Sequence, residues 1–211
     1  MIEQEWLACT DPKKMLEFLL EFLRGMATER KLRLFACACC RRIWHLLTDE
    51  RSRKAVEAAE QFADGEIDVK TLGAAHAAAW PVVTTASDPA YCPGQAALCA
   101  AAPQPIRLIL YLILYTPVIE GYAANCDLLG DIFGNLFRPV TLDPAWLTWH
   151  DGLLVSMAQK MYENRDFSDM AVLADALEEA GCDNADLLAH CRQPGEHVRG
   201  CWVLDLILGK E

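Results

Sequence analysis

Signals for the start and the end of helices recur along the chain and constrain its fold more than any other feature. Asp11-Pro12 and Asp143-Pro144 each pair an N-cap side chain with a proline at the first helical position, where its missing N–H has no partner to lose. Further N-cap candidates are Thr28, Thr48, Ser168 and Asn184, and candidate stop glycines are Gly25, Gly65, Gly134, Gly181 and Gly209. The sequence therefore predicts an all-α fold.

Apolar residues at helical spacing place the individual helices. Ser52–Phe62 and Met170–Ala180 are the best amphipathic examples. The predicted helices are 12–24, 29–47, 49–63, 67–79, 106–115, 117–133, 144–163, 168–180, 184–191 and 197–208. Two short segments, 80–85 and 136–142, have β-like composition, but both are bounded by proline and are equally consistent with extended connectors.

Length and proline content together predict one domain with an internal seam. A chain of 211 residues buries a sizeable core without help from disulfides or metals. Five prolines fall within residues 81–105, at Pro81, Pro89, Pro93, Pro103 and Pro105. We therefore expect a single helical domain, 1–211, in which an N-terminal cluster (1–80) and an acidic C-terminal helical cluster (106–211) flank a proline-rich connector (81–105).

Composition narrows the class of protein. The chain has ten cysteines, but its first residues do not resemble a signal peptide that would direct it to an oxidising compartment. We therefore expect reduced thiols and a cytoplasmic location. The longest apolar run, Leu108–Ile119, is shorter than the roughly 20 residues that span a bilayer, so no membrane span is expected. A net charge of −11 argues against nonspecific nucleic-acid binding, and no specific nucleic-acid partner is expected. Residues 24–54, with nine basic and three acidic side chains, could hold a phosphate or an acidic partner, or could form a solvated rim around a core helix.

Two groups of cysteine and histidine carry the ligand types that zinc prefers. Cys37 and Cys40 are three positions apart and share one face of a predicted helix. The second group, His190-Cys191-x5-His197-x3-Cys201, brings His197 and Cys201 to one side if 197–208 is helical. A tetrahedral zinc site would take its four ligands from Cys37, Cys40, Cys182, His190, Cys191, His197 and Cys201. The alternative is that no cofactor binds, the thiols are small core residues and the histidines cap helix ends.

A cysteine nucleophile with a histidine base is the catalytic version of the second group. It would pair Cys191 or Cys201 with His190 or His197, oriented by a carboxylate, for which the candidates are Asp186 and Asp205. No family-like nucleophile signature surrounds these residues. An enzyme is therefore the less favoured interpretation.

A basic edge is the strongest candidate for binding another protein. It consists of Arg33, Arg41, Arg42 and His45, and it adjoins Trp44. Arginine and tryptophan are the residues that most often anchor a partner at an interface. Together with the absence of a catalytic pattern, this edge predicts a non-enzymatic interaction or regulatory module that docks an acidic, unidentified protein partner.

Three sequence blocks carry a family resemblance. They are EWLACTDP at 5–12, RKLRLFACACCRRIW at 30–44, and HCR at 190–192 followed by HVRGCW at 197–202, with DIFGN at 131–135 and FRPV at 137–140 in support. In these blocks, over about 4–65 and 127–211, the chain resembles a planctomycete paralogous family of uncharacterised proteins. The resemblance implies common ancestry and carries no activity. The proline-rich segment 81–105 departs from that family's pattern.

Overall fold

The computed structural model describes residues 1–22, 28–85, 93–102 and 124–210, and in these ranges all regular secondary structure is helical, as the sequence predicts. The helices are α1 (Glu3–Leu7), α2 (Pro12–Phe22), α3 (Glu29–Arg42), α4 (Glu50–Ala63), α5 (Val69–Thr84), α6 (Pro93–Ala100), α7 (Ala124–Phe133), α8 (Pro144–Thr148), α9 (Leu153–Asn164), α10 (Met170–Glu179), α11 (Ala185–Arg192) and α12 (Trp202–Leu208). Single 3-10 turns, Trp44–Leu46 and Trp149–Asp151, follow α3 and α8.

No helix among the described residues has both the length and the apolar composition needed to cross a membrane. The predicted helix 106–115, the apolar run 108–119 and the stop at Gly25 lie outside the described residues. Of the predicted helix 117–133, the structure describes the part from residue 124 onward, which is α7.

The chain divides into two compact units, Met1–Leu129 and Gly130–Glu211. In the first unit α3 lies at the centre and packs against α4 and α6, while α5 packs against α4. Residues 32–40 of α3 are all buried, the three cysteines Cys37, Cys39 and Cys40 included. Every cysteine that the structure describes is free of disulfides, and all but Cys9 are buried.

The second unit has its own apolar core. It is built mainly from α9, α10, α11 and α12, together with Trp146 of α8. Leu154, Leu173, Leu187 and Leu204 are examples of its fully enclosed side chains. Burial of each such leucine contributes roughly 1.5–3 kcal/mol to stability, so this unit has a hydrophobic basis for folding that is independent of any ligand.

Most of the predicted helix punctuation is confirmed. The side chains of Thr28, Asp143 and Asn184 accept hydrogen bonds from the first turns of α3, α8 and α11. Four predicted stop glycines have left-handed backbones, namely Gly65, Gly134, Gly181 and Gly209. Two predicted caps are wrong: Asp49 rather than Thr48 caps α4, and α10 begins at Met170, two residues after Ser168.

The segment 80–85 is helical, so its prediction as a strand or connector is wrong. It continues α5 through Pro81 to Thr84. A proline inside a helix removes the backbone donor that would bond the carbonyl four residues earlier. The helix nevertheless continues past Pro81, whose own carbonyl oxygen accepts hydrogen bonds from the hydroxyl groups of Thr84 and Thr85, at 3.3 and 2.6 Å. Residues 136–142 have irregular backbone, as expected for a connector.

The predicted connector 81–105 is also partly wrong, because it contains α6. Residues Pro93–Ala100 form two helical turns, and the side chains from Ala96 to Ala100 are buried. Small side chains allow α6 to approach the central helix α3 closely. Residues 93–102 are therefore part of the core of the first unit.

Two long predicted helices are interrupted. The predicted helix 144–163 breaks at His150, Asp151 and Gly152, which have positive φ angles of 45°, 57° and 83°. The predicted helix 197–208 begins only at Trp202, with Cys201 at its N-cap. Residues 197–200 form a turn before it, so helical spacing does not explain how His197 and Cys201 approach each other.

Candidate metal centre

Four polar side chains of the second unit converge inside its apolar surroundings. They are Asp131, His190, His197 and Cys201, and we refer to them as the convergent group. One donor atom from each residue lies within 4.8 Å of the donor atoms of all the others. All four side chains are buried. Buried polar groups are stable only when they are bonded to one another or to a ligand.

Asp131 lies on α7, in a stretch whose other residues are mostly apolar, and is 2% exposed. One carboxylate oxygen, Oδ2, accepts a hydrogen bond from the backbone N–H of Val198 at 2.9 Å. The other oxygen, Oδ1, faces the imidazoles of His190 and His197 at 3.2 and 2.7 Å. The bond to Val198 therefore fixes the carboxylate and directs Oδ1 toward the histidines.

His190 lies in the last turn of α11, and both of its ring nitrogens have partners. Nε2 lies 3.3 Å from Sγ of Cys201 and 3.2 Å from Oδ1 of Asp131. Nδ1 lies 3.2 Å from the side-chain amide of Gln193. The indole of Trp202 packs against this ring, with 5.2 Å between the two centroids.

Gly134 makes room for that tryptophan. Its φ angle is +64°, and a Cβ atom at this position would lie 2.9 Å from Cγ of Trp202. The left-handed backbone and the close approach each require glycine. Gly134 therefore allows Trp202 to cover His190.

His197 lies in the turn before α12 and contacts the group through Nδ1. This nitrogen is 2.7 Å from Oδ1 of Asp131 and 3.9 Å from Sγ of Cys201. Nε2 of the same ring is buried and has no hydrogen-bond partner in the part of the chain that the structure describes. The polar contacts of His197 are therefore concentrated on the nitrogen that faces the group.

The electrostatics of the group favour a cation. Burial raises the pKa of Asp131, but the hydrogen bonds from His190 and His197 outweigh burial, and the net pKa of this carboxyl is lower than usual. Burial, followed by the charge of Asp131, raises the pKa of Cys201 well above that of a free thiol, although the N–H groups of Leu204 and Val203 partly oppose this. Asp131 is thus a buried anion, and the Cys201 thiol loses its proton only where a positive charge is supplied.

The four donor atoms form a compact cluster instead of a line. In a cysteine–histidine–carboxylate relay, the carboxylate and the sulfur contact opposite nitrogens of one imidazole. Here Asp131 and Cys201 both face Nε2 of His190, and both face Nδ1 of His197. This arrangement is typical of side chains that can hold a metal ion.

Comparison of the chain with protein-family models, curated proteins and solved structures finds no match. The resemblance to the planctomycete family therefore stays a prediction.

The structure includes three of the seven predicted metal ligands in the convergent group, namely His190, His197 and Cys201, whereas Cys182 belongs to the apolar core of the same unit. Cys191 is not part of it, because successive residues on a helix point in different directions, and its side chain belongs to the apolar core. Burial raises the pKa of Cys191 to about 12. Cys191 is therefore a core residue.

Cys37 and Cys40 are likewise core residues, of the first unit. Both are at most 1% exposed on α3, and burial raises the pKa of each thiol well above its ordinary value. The Sγ atom of Cys37 lies 3.9 Å from the carbonyl oxygen of Val56. In the described ranges, the group that could hold a metal includes neither of them.

The sequence analysis missed Asp131. This residue is 66 positions from His197, and nothing in the local spacing of the cysteines and histidines points to it. The available signal was a single carboxylate between the apolar pairs Leu128–Leu129 and Ile132–Phe133. A charged residue on the buried side of a helix usually has a specific partner.

The predicted basic edge is largely engaged within the first unit. Arg33 is fully buried, and its guanidinium donates to the carbonyl oxygens of Ala100 and Ala102, both at 2.8 Å. It also pairs with Glu29 at 2.9 Å. Because no part of Arg33 reaches the surface, the prediction that it belongs to an exposed docking edge is wrong.

Arg41 is bound on two sides. It forms a two-pronged ion pair with the buried Glu60, with bonds of 3.0 and 2.7 Å, and stacks on Trp44 with its Cζ 4.0 Å from the ring centroid. Arg42 is half-buried and His45 is exposed. These two residues keep the surface access that a docking edge requires.

The predicted orienting carboxylates of a thiol enzyme are not where that mechanism needs them. Asp131 occupies the position beside the histidines, whereas Asp186 lies 3.9 Å from Arg138 on the surface. Asp205 is buried within α12. Cys201 itself is fully buried, which is unsuitable for a nucleophile that must reach a substrate.

Proposed function

We propose that the unit Gly130–Glu211 is a zinc-stabilised helical domain and that the convergent group is its zinc site. The observation that supports this proposal is that one donor atom from each of the four residues lies within 4.8 Å of the other three. Bond lengths of about 2.0–2.3 Å in a tetrahedral zinc site separate neighbouring donor atoms by about 3.3–3.6 Å. Four of the six separations between the donor atoms are 2.7, 3.2, 3.3 and 3.9 Å, and the other two are at most 4.8 Å.

The donor set favours zinc over other common metals. Calcium and magnesium take oxygen ligands almost exclusively, whereas copper(I) favours sulfur. Two imidazoles, one carboxylate and one thiolate form a mixed set that suits the borderline-soft zinc ion. A divalent cation would also balance the two negative charges of ionised Asp131 and Cys201, so that the buried centre has no net charge.

A structural role is more consistent with the geometry than a catalytic one. Catalytic zinc sites have three protein ligands and leave one position open to water or substrate. The convergent group supplies four protein ligands, and all four are buried. A closed site of this kind links α7, α11 and α12, which carry Asp131, His190 and the N-cap residue Cys201.

The direct test is the metal content and the stability of the purified chain. We expect one zinc per chain by elemental analysis and a lower melting temperature after treatment with a strong chelator. At a free zinc concentration of 1,000 times Kd, binding stabilises the folded state by about 4 kcal/mol. A chain that carries no zinc after refolding with zinc, and whose melting temperature is the same with and without chelator, contradicts the proposal.

Docking of an acidic partner is a separate proposal that rests on Arg42 and His45. It is narrower than the edge predicted from the sequence, because Arg33 is buried and Arg41 is paired with Glu60.

A further inference from the structure

Gln193 contacts the convergent group from outside. It is the C-cap residue of α11, its side chain is exposed, and its amide lies 3.2 Å from Nδ1 of His190. The opposite nitrogen of that ring, Nε2, faces Asp131 and Cys201. The contact with Gln193 therefore acts on the nitrogen that does not face the proposed metal.

The two nitrogens of a neutral imidazole have opposite roles, because one carries the proton and the other has the free lone pair. A metal bound at Nε2 of His190 requires the proton on Nδ1, which then needs an acceptor. Without metal, Nε2–H can donate to Asp131, and Nδ1 then needs a donor. The metal-bound and metal-free states thus demand opposite partners at the same position.

A glutamine side chain satisfies both demands. Its amide carries an NH2 group that donates and an oxygen that accepts, and a half-turn of the amide exchanges them. Metal ligands of the imidazole type almost always have such an outer partner on the second nitrogen, and its removal typically costs 10–100-fold in metal affinity.

We propose that Gln193 is the positioning residue of the zinc site, and that it selects the tautomer of His190 by presenting its amide NH2 in the metal-free state and its amide oxygen in the metal-bound state. This inference rests on the proposed function. It predicts that the residue at position 193, although it is not a ligand, sets the affinity of the site.

Two substitutions separate the donor role from the acceptor role. In Gln193→Glu, the carboxylate can only accept, so it stabilises the proton on Nδ1 and leaves Nε2 free for metal. In Gln193→Leu, neither role remains. Because the side chain of Gln193 is exposed, neither change disturbs the apolar core. The matched controls are Gln61→Glu and Gln61→Leu, at an exposed glutamine of α4 in the other unit.

The first measurement is zinc affinity, by competition with a chromophoric chelator on the full chain. Relative to the wild-type chain, we expect Kd to rise about 10-fold or more in Gln193→Leu and to fall in Gln193→Glu. The Gln61 variants should bind as the wild type does. Equal affinities for wild type, Gln193→Leu and Gln193→Glu would overturn the proposal for Gln193 and leave the zinc site standing.

The second measurement needs no metal. Nitrogen-15 NMR of the metal-free chain reports which nitrogen of His190 carries the proton. We expect the proton on Nε2 alone in the wild type and a proton on Nδ1 in Gln193→Glu, with or without a second proton on Nε2, which faces Asp131. If the wild type binds no zinc, the proposed function fails and the zinc part of the Gln193 proposal fails with it, while a tautomer change in Gln193→Glu still supports selection of the His190 tautomer by Gln193. An unchanged tautomer overturns that role.

Discussion

Sγ of Cys201 lies 3.3 Å from Nε2 of His190, and the indole of Trp202, the next residue, covers the same imidazole. Cys201, which contacts this imidazole, and Trp202, which packs over it, thus come from neighbouring positions at the start of α12. Asp131 contacts the same nitrogen of His190, because its Oδ1 atom lies 3.2 Å from Nε2. These contacts connect the proposed metal site with the packing of the second unit.

Removal of the Cys201 thiol should abolish zinc binding, whereas removal of the buried Cys191 thiol should not. We expect Cys201→Ala to lose stoichiometric zinc, and its melting temperature to be the same with and without chelator. Cys191→Ala is the control, because Cys191 is equally buried but is not part of the convergent group. It should lose some stability through its small cavity and still bind one zinc. Zinc retention by Cys201→Ala would remove this residue from the site.

Gly134→Ala should weaken both packing and metal binding. The new Cβ would lie 2.9 Å from Trp202 on a backbone with φ +64°. The left-handed backbone costs about 1–2 kcal/mol for a residue with a Cβ, and displacement of the indole adds to it. The control is Gly181→Ala, where φ is +95° but no atom lies within 4 Å of the new Cβ.

Urea denaturation and zinc titration compare these two variants. Both should lose stability, Gly134→Ala by more, and only Gly134→Ala should lose zinc affinity, because Trp202 packs on His190. If Gly134→Ala and Gly181→Ala lose the same stability and the same zinc affinity, the contact with Trp202 does not contribute to either.

Two neighbouring arginines of the basic edge should behave differently. Arg41→Leu leaves the carboxylate of Glu60 buried without its two hydrogen bonds, since the Glu60 side chain is 2% exposed. Loss of one partner of a buried ion pair costs about 3 kcal/mol or more. Arg42→Leu, at a half-buried position, should cost less than about 1 kcal/mol. Urea denaturation of the full chain measures the free energy of unfolding of both variants. Equal losses of stability would contradict a structural role for the ion pair between Arg41 and Glu60.

The thiols should react in the order of their exposure. Cys9 is half-buried, whereas Cys201 is 0% exposed. We therefore expect iodoacetamide to label Cys9 long before Cys201 in the folded, metal-free chain, as followed by mass spectrometry of peptides. Rapid and selective alkylation of Cys201 would revive the thiol-enzyme interpretation and count against a closed metal site.

Local sequence signals predicted the helical fold well, because caps and stop glycines act within a few residues. Asn184 caps α11 and Gly209 ends α12 as expected. The signals failed where neighbouring structure overrides composition. Pro81 stays inside α5, and a left-handed turn at His150 interrupts a predicted helix.

The site was predictable only in part for a related reason. His190, His197 and Cys201 lie within 12 consecutive positions of the sequence, and their types alone indicate a metal site. Asp131 comes from a distant helix, so only the fold brings it to them. The Cys37–Cys40 spacing indicated the same chemistry, but these thiols serve the core, since small sulfur-bearing side chains pack well in apolar surroundings.

The central claim is that four side chains of one unit hold a zinc ion. Elemental analysis of the chain and of the Asp131→Asn variant, both refolded with zinc and dialysed, tests it most directly. Asparagine keeps the size of the side chain and removes the charge that balances the cation. We expect one zinc per chain for the wild type and much less than one for Asp131→Asn. No zinc in the wild type, or equal zinc in both, would contradict the account.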